Sequence, residues 1–250
     1  MERFVNGRLK LPEVTLVAMT SVKVMETVKA MKYSMKNIDF GDAVFISDKK
    51  PIYLPKNIRF SKTSRLNNID DFNYKMIYEL TEHVHTDFVM IVHYDGFVVH
   101  PEMWREDFLK YDYIGAPWPD PHDDFTYRDI NGTLQRVGNS VGIRSKRLLD
   151  LPVKDKWPFE ADHGYFHEDG FLCVKNRHLV EAAGMSIAPL EVAKYYSHEH
   201  MIPEVSGITP FAFHKWEGTN ASYPKFKGKP EILIRGERYI RRKLRDFKNI

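Results

Sequence analysis

The sequence predicts an α/β fold, with a mostly parallel central sheet and helices on both of its faces. Short apolar runs of strand length alternate with segments whose apolar residues recur at helical spacing. A strand–helix–strand order favours right-handed crossovers, which make the strands parallel and put helices on the two faces of the sheet. The chain of 250 residues is 43% hydrophobic, which is enough to bury a full core.

The first half of the chain carries the clearest alternation. The helix at 25–36 places Val28, Met31 and Met35 on one face. Asp70-Asp71 resembles an N-cap, with acids in the first helical turn as the helix dipole favours. The predicted elements in chain order are strand 14–19, helix 25–36, strand 43–47, strand 58–61, helix 72–83 and strand 87–93.

The second half is richer in Gly, Pro and aromatic residues, and we interpret it as a continuation of the same domain. A strand begins at Tyr113 and runs into a rigid loop, and residues 119–132 form a polar, acid-rich flap. Residues 138–142 are predicted as a Gly-rich turn that precedes a helix through Leu149. A further amphipathic helix is predicted at 168–177.

The charge of the chain is unevenly distributed. Residues 229–250 hold eight Lys/Arg and three Asp/Glu, a local +5 that leaves −2 on the rest of a chain of net charge +3. A nucleic-acid-binding body would carry positive charge across one face, so we expect no nucleic-acid partner. The division is a domain at 1–228 followed by a basic segment at 229–250.

Composition also predicts a soluble, cytoplasmic protein. The first residues, MERFVNGRLKLPE, lack the apolar core of a signal peptide, and no apolar run approaches the length of a membrane span. The chain has one cysteine, Cys173, which fits a reducing compartment. Cys173 lies in an apolar segment and is expected to be a core residue rather than a nucleophile.

Polar side chains follow three of the predicted strands. Thr20-Ser21 follows the first strand, Asp48 follows the second, and the fourth, at 87–93, leads into His93-Tyr94-Asp95. Because ligands of parallel sheets bind beyond the carboxyl ends of the strands, we expect these side chains at one crevice.

His93-Tyr94-Asp95 is the first candidate for chemistry. A carboxylate and an imidazole at a strand end could both reach one ion, and with phosphate oxygens they suit Mn²⁺ or Mg²⁺. The alternative is that Asp95 caps a turn with Gly96 while His93 is a satisfied core histidine.

His167-Glu168-Asp169 is the second candidate. A carboxylate at the crevice mouth could act as a general base on an incoming hydroxyl. The alternative is that both acids cap a helix start, where the dipole favours them.

Two histidine segments compete as a further metal ligand. His214 follows Phe211-Ala-Phe and gains interest only in combination with Asp95. His198-x-His200 is a rival pair, which its neighbours place in an exposed loop.

Residues 138–142 lack the dinucleotide-binding and P-loop patterns, so the sequence supports neither a Rossmann cofactor site nor a P-loop.

Six blocks of sequence, taken in order, resemble one known family. The chain resembles the DUF5672 family, expected to be glycosyltransferases of GT-A type, over residues 14–216. The blocks are YDGFVVHPEMW, YDYIGAPW, VGNSVGIRSKRLL, HEDGFLC, APLEVAKYYS and PFAFHKW.

The resemblance implies a GT-A-like fold and transfer from a nucleotide-diphosphate sugar, most simply a UDP-sugar, to a glycan or lipid-linked acceptor in polysaccharide biosynthesis. Such enzymes hold a divalent cation, Mn²⁺ or Mg²⁺, with Asp-x-Asp. Here His93 replaces the first aspartate and Asp95 keeps the second, which leaves metal dependence open. His214 matches a late histidine ligand of the same ion.

The resemblance also implies roles for the other acids. Asp169, and beside it Glu168, match the catalytic base of inverting members. The family's Gly-Asn-Gly-Gly is here Gly138-Asn139-Ser140-Val141, so two glycines of a segment that lines the sugar pocket are lost.

The remaining positions would complete the donor site. Trp118 could stack on a sugar face, with core packing as the alternative, and Lys215 could assist the leaving diphosphate. The residues expected at the nucleotide-sugar are Thr20, Ser21, Asp48, Tyr94, Asp95, Trp118, Asn139 and Lys215, of which Thr20, Ser21 and Asp48 would hold the base and ribose.

Two other functions stay open from the sequence. A metal-dependent phosphoesterase or nucleotidyltransferase would use the same Asp/His crevice but usually needs two metals and more clustered carboxylates. A nucleotide-sugar or glycan-binding protein without turnover fits the altered His93 and Gly-rich block.

The basic segment at 229–250 is predicted as an amphipathic helix. Leu233, Ile240, Leu244 and Phe247 fall on one face, and arginines occupy much of the rest. Such a helix is attracted to anionic lipid, which would bring the protein to the inner face of a membrane as a peripheral partner. The alternative is a helix whose apolar stripe docks on the domain.

Overall fold

The fold is known from a computed structural model that describes residues 3–161 and 166–228. In this part of the chain a seven-stranded sheet has the order β4-β3-β2-β5-β8-β7, with β1 paired to the edge of β2. Its strands are β1 (Phe4–Val5), β2 (Arg8–Met19), β3 (Ile38–Ser47), β4 (Arg59–Lys62), β5 (Phe88–Ile91), β7 (Tyr113–Pro117) and β8 (Val137–Ser145).

The strand directions confirm a mixed α/β fold with a mostly parallel sheet. Strands β4, β3, β2 and β5 run parallel to one another, whereas β8 runs antiparallel to both β5 and β7. The helices are α1 (Val24–Ser34), α2 (Ile69–Tyr74), α3 (Lys146–Lys154), α4 (Glu168–Gly170), α5 (Arg177–Ala182) and α6 (Leu190–Tyr196).

The central strands are buried on both faces, as expected for parallel strands covered by helices. Leu16 packs in one apolar cluster with Val28 and Met31 of α1. The next residue, Val17, belongs to a second cluster that contains Leu80. Alternate residues of β2 therefore face opposite layers, and helical segments cover both.

Helix α2 begins earlier than predicted and changes its hydrogen bonding. Its N-cap is Asn68, whose side chain accepts from the N–H of Asp71 at 2.8 Å, so the predicted cap at Asp70-Asp71 is wrong. After Tyr74 the chain continues as a π-helical turn, Lys75–Glu79, and a 3-10 turn, Leu80–His83. The whole segment still covers the length of the predicted helix.

The predicted Gly-rich turn at 138–142 is wrong, because these residues lie inside β8. Gly138 pairs with Ala116 of β7, and a Cβ on the neighbouring Gly115 would lie 1.6 Å from the carbonyl oxygen of Gly138. The glycines therefore allow two strands to approach closely, and they do not form a turn. The helix expected after them is α3, capped by Ser145.

The segment expected as a flap at 119–132 contains local hydrogen bonds made by two aspartates. Asp123 accepts from the N–H groups of Phe125 and Thr126, and Asp129 accepts from those of Asn131 and Thr133. Such side-chain turns define the backbone of a loop.

A small second sheet stands beside the large one and completes the crevice. Strand β10 (Ala212–His214) pairs antiparallel with β6 (Gly96–Val98) and parallel with β9 (Ser197–His198). The turn His93-Tyr94-Asp95-Gly96 links β5 to β6, and the N–H of His93 donates to the carbonyl of Gly96 at 2.7 Å. This turn joins the two sheets directly.

The predicted basic helix at 229–250 lies outside the described residues. Among the residues that are described, none of the helices is long and apolar enough to cross a membrane. The last described residues return to α1, where Nζ of Lys29 donates to the carbonyl of Lys227 at 2.6 Å.

Candidate active site

A cleft of about 980 Å³ lies between the carboxyl ends of the parallel strands and the small sheet. Its volume is at the upper end of the range usual for small-molecule sites. The predicted residues that line it are Thr20, Ser21, His93, Tyr94, Asp95, Trp118, Asn139, Glu168, Asp169, His214 and Lys215. Asp48 directly follows β3, as expected, but it is not part of the lining that the described residues form.

Asp95 and His214 face each other at the centre of the cleft. Asp95 lies in the turn before β6, and His214 ends β10, where it pairs with Gly96. Nε2 of His214 is 3.8 Å from Oδ1 of Asp95. A Cβ on Gly96 would lie 2.8 Å from the His214 ring, so a glycine here permits the approach.

The Asp95–His214 distance is close to, but does not match, the distance between two ligands of one octahedral ion. Two ligands each about 2.1 Å from such an ion lie about 3.0 Å apart at a right angle and about 4.2 Å apart when opposite. The observed 3.8 Å is too long for a hydrogen bond and lies between these values, so the two side chains would have to adjust to bind one ion. Within residues 3–161 and 166–228, no three His, Cys, Asp or Glu side chains are assembled to hold a metal, so ligand oxygens and water would have to complete the shell.

His93 lies behind this pair as a neutral ring. Its centroid is 5.6 Å from that of His214 and 5.8 Å from that of Phe72. Burial, and after it the charge of His214, lowers the pKa of His93 well below its usual range. His93 therefore adds no positive charge to the cleft at neutral pH.

Glu199 joins three of the predicted residues and was missed in the sequence. Its carboxylate lies 3.3 Å from Nδ1 of His214 and 2.6 Å from Nζ of Lys215, and the side-chain amide of Asn139 donates to it. Burial raises its pKa, but the His214 and Lys215 partners outweigh that effect and lower it to about 2. Glu199 is ionised throughout the physiological range.

The sequence placed Glu199 in an exposed loop, which is wrong. Ser197 and His198 form β9, and Glu199 directly after them is only 5% exposed. The two histidines of the rival pair His198-x-His200 do not share one site. Nε2 of His198 is engaged by the carbonyl of Lys194 at 2.7 Å. His200 alone lines the cleft.

Glu168 is held in a buried ion pair. Arg144, fully buried on β8, donates to it at 2.9 Å, and Ser140 also donates to it. The main-chain N–H of Glu168 donates to Oδ1 of Asn73 at 3.2 Å. Burial raises the pKa of Glu168, but Arg144 and Ser140, together with weaker partners, outweigh burial, and the pKa is lowered. These contacts make Glu168 an anchor of α4.

Asp169, the next residue, is only partly buried and lines the cleft. Its Oδ2 accepts from the main-chain N–H of Asn139 at 3.1 Å, and its Oδ1 accepts from the N–H of Gly170 at 2.8 Å. Burial, and after it the nearby charge of Glu168, raises the pKa of Asp169 to about 6. A carboxylate with this pKa is deprotonated at pH 7 and is more basic than an ordinary aspartate.

Trp118 is 5% exposed and packs on both sides. Its ring stacks on Tyr127, with centroids 4.6 Å apart and an interplanar angle of 6°. A Cβ on Gly138 would lie 1.9 Å from Cζ2 of the indole. The faces of Trp118 are engaged by protein, so a ligand meets the edge of the ring.

The other residues singled out in the sequence differ in their contacts and burial. Thr20 bonds locally to Val22, and Oγ of Ser21 accepts from the N–H of Leu66 at 3.0 Å. Burial, and after it Asp95, raises the pKa of Tyr94. Cys173 is fully buried and burial strongly raises its pKa, which confirms it as a core residue.

The chain matches the model of a protein family. The model of a family described as "Protein of unknown function (DUF5672)" matches residues 52–214. The matched range includes Asp95, Asn139, Asp169, Glu199 and His214, and excludes Thr20 and Ser21. No curated protein matches this chain.

Proposed function

The chain belongs to the DUF5672 family, and we propose that it is an inverting glycosyltransferase of GT-A type that uses a nucleotide-diphosphate sugar. One observation carries the proposal: Asn139 contacts both a carboxylate of raised pKa, Asp169, and the cluster of Glu199 and His214. One residue, Asn139, therefore contacts both the proposed base and the proposed site for the charged leaving group.

In this reaction the acceptor hydroxyl attacks the anomeric carbon while the bond from that carbon to the phosphate oxygen breaks. The electron pair leaves with the diphosphate, and Asp169 takes the acceptor's proton. Attack from the face opposite the leaving group inverts the anomeric centre. The partly buried Asp169 is suited to this role, whereas Glu168 is already paired with Arg144.

Charge on the departing diphosphate would be met by Lys215 and by an ion at Asp95 and His214. Lys215 is 54% exposed at its side chain, so its ammonium remains accessible to a ligand. Asp95 and His214 would hold a divalent ion, Mn²⁺ or Mg²⁺, which supplies Lewis-acid stabilisation of the diphosphate when bound. Tyr94, Thr20 and Ser21 are left to contact the nucleoside, and the acceptor is a glycan or lipid-linked hydroxyl.

The test is a thermal-shift screen of nucleoside diphosphates and nucleotide-sugars, UDP-sugars first, each with Mn²⁺, Mg²⁺ or EDTA. A ligand at a hundred times its Kd stabilises by about 2.7 kcal/mol, which is readily seen. We expect a shift with a nucleoside diphosphate and slow release of that diphosphate from the matching sugar donor. Absence of any shift from folded protein would contradict the proposal.

Two controls refine the screen. Asp95→Asn should abolish the metal-dependent part of the shift, while Asp150→Asn, outside the cleft, should leave it intact. Binding without release of diphosphate, even with acceptor sugars added, would favour a binding protein without turnover.

A further inference from the structure

Glu199 is the most connected charged group in the described part of the cleft, and the reaction above does not use it. It follows β9, while its partners come from other strands: Asn139 from β8, and His214 with Lys215 from the end of β10. One buried carboxylate therefore ties three strand ends together.

Two of these partners have unusual backbone conformations. Asn139 has φ of 83° and Lys215 has φ of 61°, in the left-handed region that residues with a Cβ rarely adopt. Residues in such conformations persist where their surroundings hold them in place, and they cluster at functional sites. Glu199 accepts from the side chains of both.

The contact with His214 has a chemical consequence. Nδ1 of His214 lies 3.3 Å from the Glu199 carboxylate and 3.1 Å from the side-chain amide nitrogen of Asn139, which itself donates to Glu199. These contacts hold the ring on its Nδ1 side, so that Nε2 faces the Asp95 carboxylate at 3.8 Å. Nε2 is therefore placed where it could bind a cation beside Asp95.

We propose that Glu199 is the positioning residue of the diphosphate site: it orients Nε2 of His214 toward Asp95 and holds the ammonium of Lys215 at the cleft. The inference rests on the proposed function, because it assumes that a nucleoside diphosphate binds here. The inference assigns to Glu199 the role of holding His214 and Lys215 in place before the ligand binds.

A simple charge effect makes the opposite prediction. Removing the negative charge of Glu199 would make the cleft more positive, and an anionic ligand would then bind more tightly. If Glu199 acts by position, the same change disorders His214 and Lys215, and the diphosphate binds more weakly despite the extra positive charge.

The experiment is calorimetric titration with UDP, then GDP, ADP and CDP, and with the corresponding monophosphate, in the presence of Mn²⁺ and again in EDTA. Glu199→Gln is compared with wild type and with Glu199→Asp, which keeps the charge. Glu79→Gln is the matched control, since Glu79 pairs with a lysine, Lys75, outside the cleft.

We expect Glu199→Gln to weaken diphosphate binding in Mn²⁺ by about tenfold to a hundredfold, the usual effect of losing hydrogen bonds to charged groups. Monophosphate binding should change much less, because the nucleoside contacts remain. Glu199→Asp should recover part of the loss, and Glu79→Gln should bind like wild type.

Unchanged or tighter diphosphate binding by Glu199→Gln would overturn the inference and leave the proposed function standing. An equal loss for monophosphate and diphosphate would also overturn it, because that is the result of a generally loosened cleft. If wild type binds none of the nucleoside diphosphates, the proposed function fails and the inference fails with it.

Discussion

The main-chain N–H of Asn139 donates a hydrogen bond to Oδ2 of Asp169 at 3.1 Å. The contact holds the carboxylate from a strand rather than from a loop, since Asn139 lies within β8, while the other oxygen, Oδ1, accepts from the N–H of Gly170. It also places the proposed base directly beside the residue whose side chain reaches Glu199.

Asp169→Asn should strongly reduce transfer without weakening the binding of the donor. A general base contributes about 10²–10⁴-fold, so donor turnover should fall by that factor while the Kd for the nucleoside diphosphate stays near that of wild type. Diphosphate release and calorimetry measure the two quantities on the same preparation. Equal turnover by the variant would remove Asp169 from the mechanism.

The same substitution should change how the stability of the protein depends on pH. The folded-state pKa of Asp169 is raised to about 6 from an ordinary 3.8, so its ionised form destabilises the fold above pH 6 and the penalty disappears below about pH 4. Asparagine replaces one oxygen that accepts from a main-chain N–H, a cost present at every pH, so relative to wild type Asp169→Asn should be about 1–2 kcal/mol more favourable at pH 7.5 than at pH 4. Denaturant unfolding at pH 7.5 and pH 4 tests this, and a gain of equal size at both pH values would contradict it.

Catalysis should depend on pH in the direction of a base. Transfer requires ionised Asp169, so kcat/KM should be level above pH 7 and fall tenfold per unit below a pKa of about 6. The ordinary pKa of an aspartate would place that fall near pH 4 instead. A pH–rate profile measured with donor in excess decides between these two pKa values. Repeating it in different buffers shows whether the profile depends on the buffer.

Arg144→Met should be severely destabilising because it leaves Glu168 buried without its partner. Removing one member of a buried ion pair costs about 3–5 kcal/mol. Arg177→Met is the matched control, because its partner Glu181 is 53% exposed, and exposed pairs contribute at most about 1 kcal/mol. Similar Tm values for the two variants would show that Glu168 is not held by Arg144.

Gly138→Ala should displace Trp118. The added Cβ would lie 1.9 Å from the indole, and overpacking of this kind costs about 1–3 kcal/mol. The cost should shrink in a Trp118→Ala background, which a double-mutant cycle measures directly. An unchanged cost in that background would mean that the clash lies elsewhere.

The basic segment at 229–250 can be tested without its structure. If it binds anionic lipid, full-length protein should float with phosphatidylserine-containing vesicles and a form ending near Lys229 should not. Neutral vesicles are the control. Equal flotation of the two forms would remove the membrane hypothesis.

The sequence predicted the large sheet well because its strands have simple, strong signals. Apolar runs such as 43–47 have no competing periodicity, and polar residues at their carboxyl ends must share one edge when the strands are parallel. This logic brought Thr20, Ser21 and Asp95 to one cleft, which they line. It failed for Asp48, whose strand lies toward the edge of the sheet, away from β5.

The residues that were missed depend on contacts between distant strands. Glu199 is flanked by polar residues and has no local sign of burial, because its partners come from β8 and β10. Arg144 stands in the apolar run VGIRS, a signal that could have indicated a buried charge needing a carboxylate. Residues 138–142 were misread because glycines that permit strand contact look, in sequence, like glycines of a turn.

The pairing of β6 with β10 has a consequence for insertions and deletions. His214 lies opposite Gly96, one residue from Asp95, so their spacing depends on the register of a three-residue ladder. A one-residue deletion within this ladder would bring Phe213 into the place of His214 and turn the imidazole to the opposite face. A deletion at the exposed Ser206-Gly207, between β9 and β10, would instead leave both Glu199 and this ladder in place. Length variation should therefore be tolerated at Ser206-Gly207 and should destroy the site when it falls within the β6–β10 ladder.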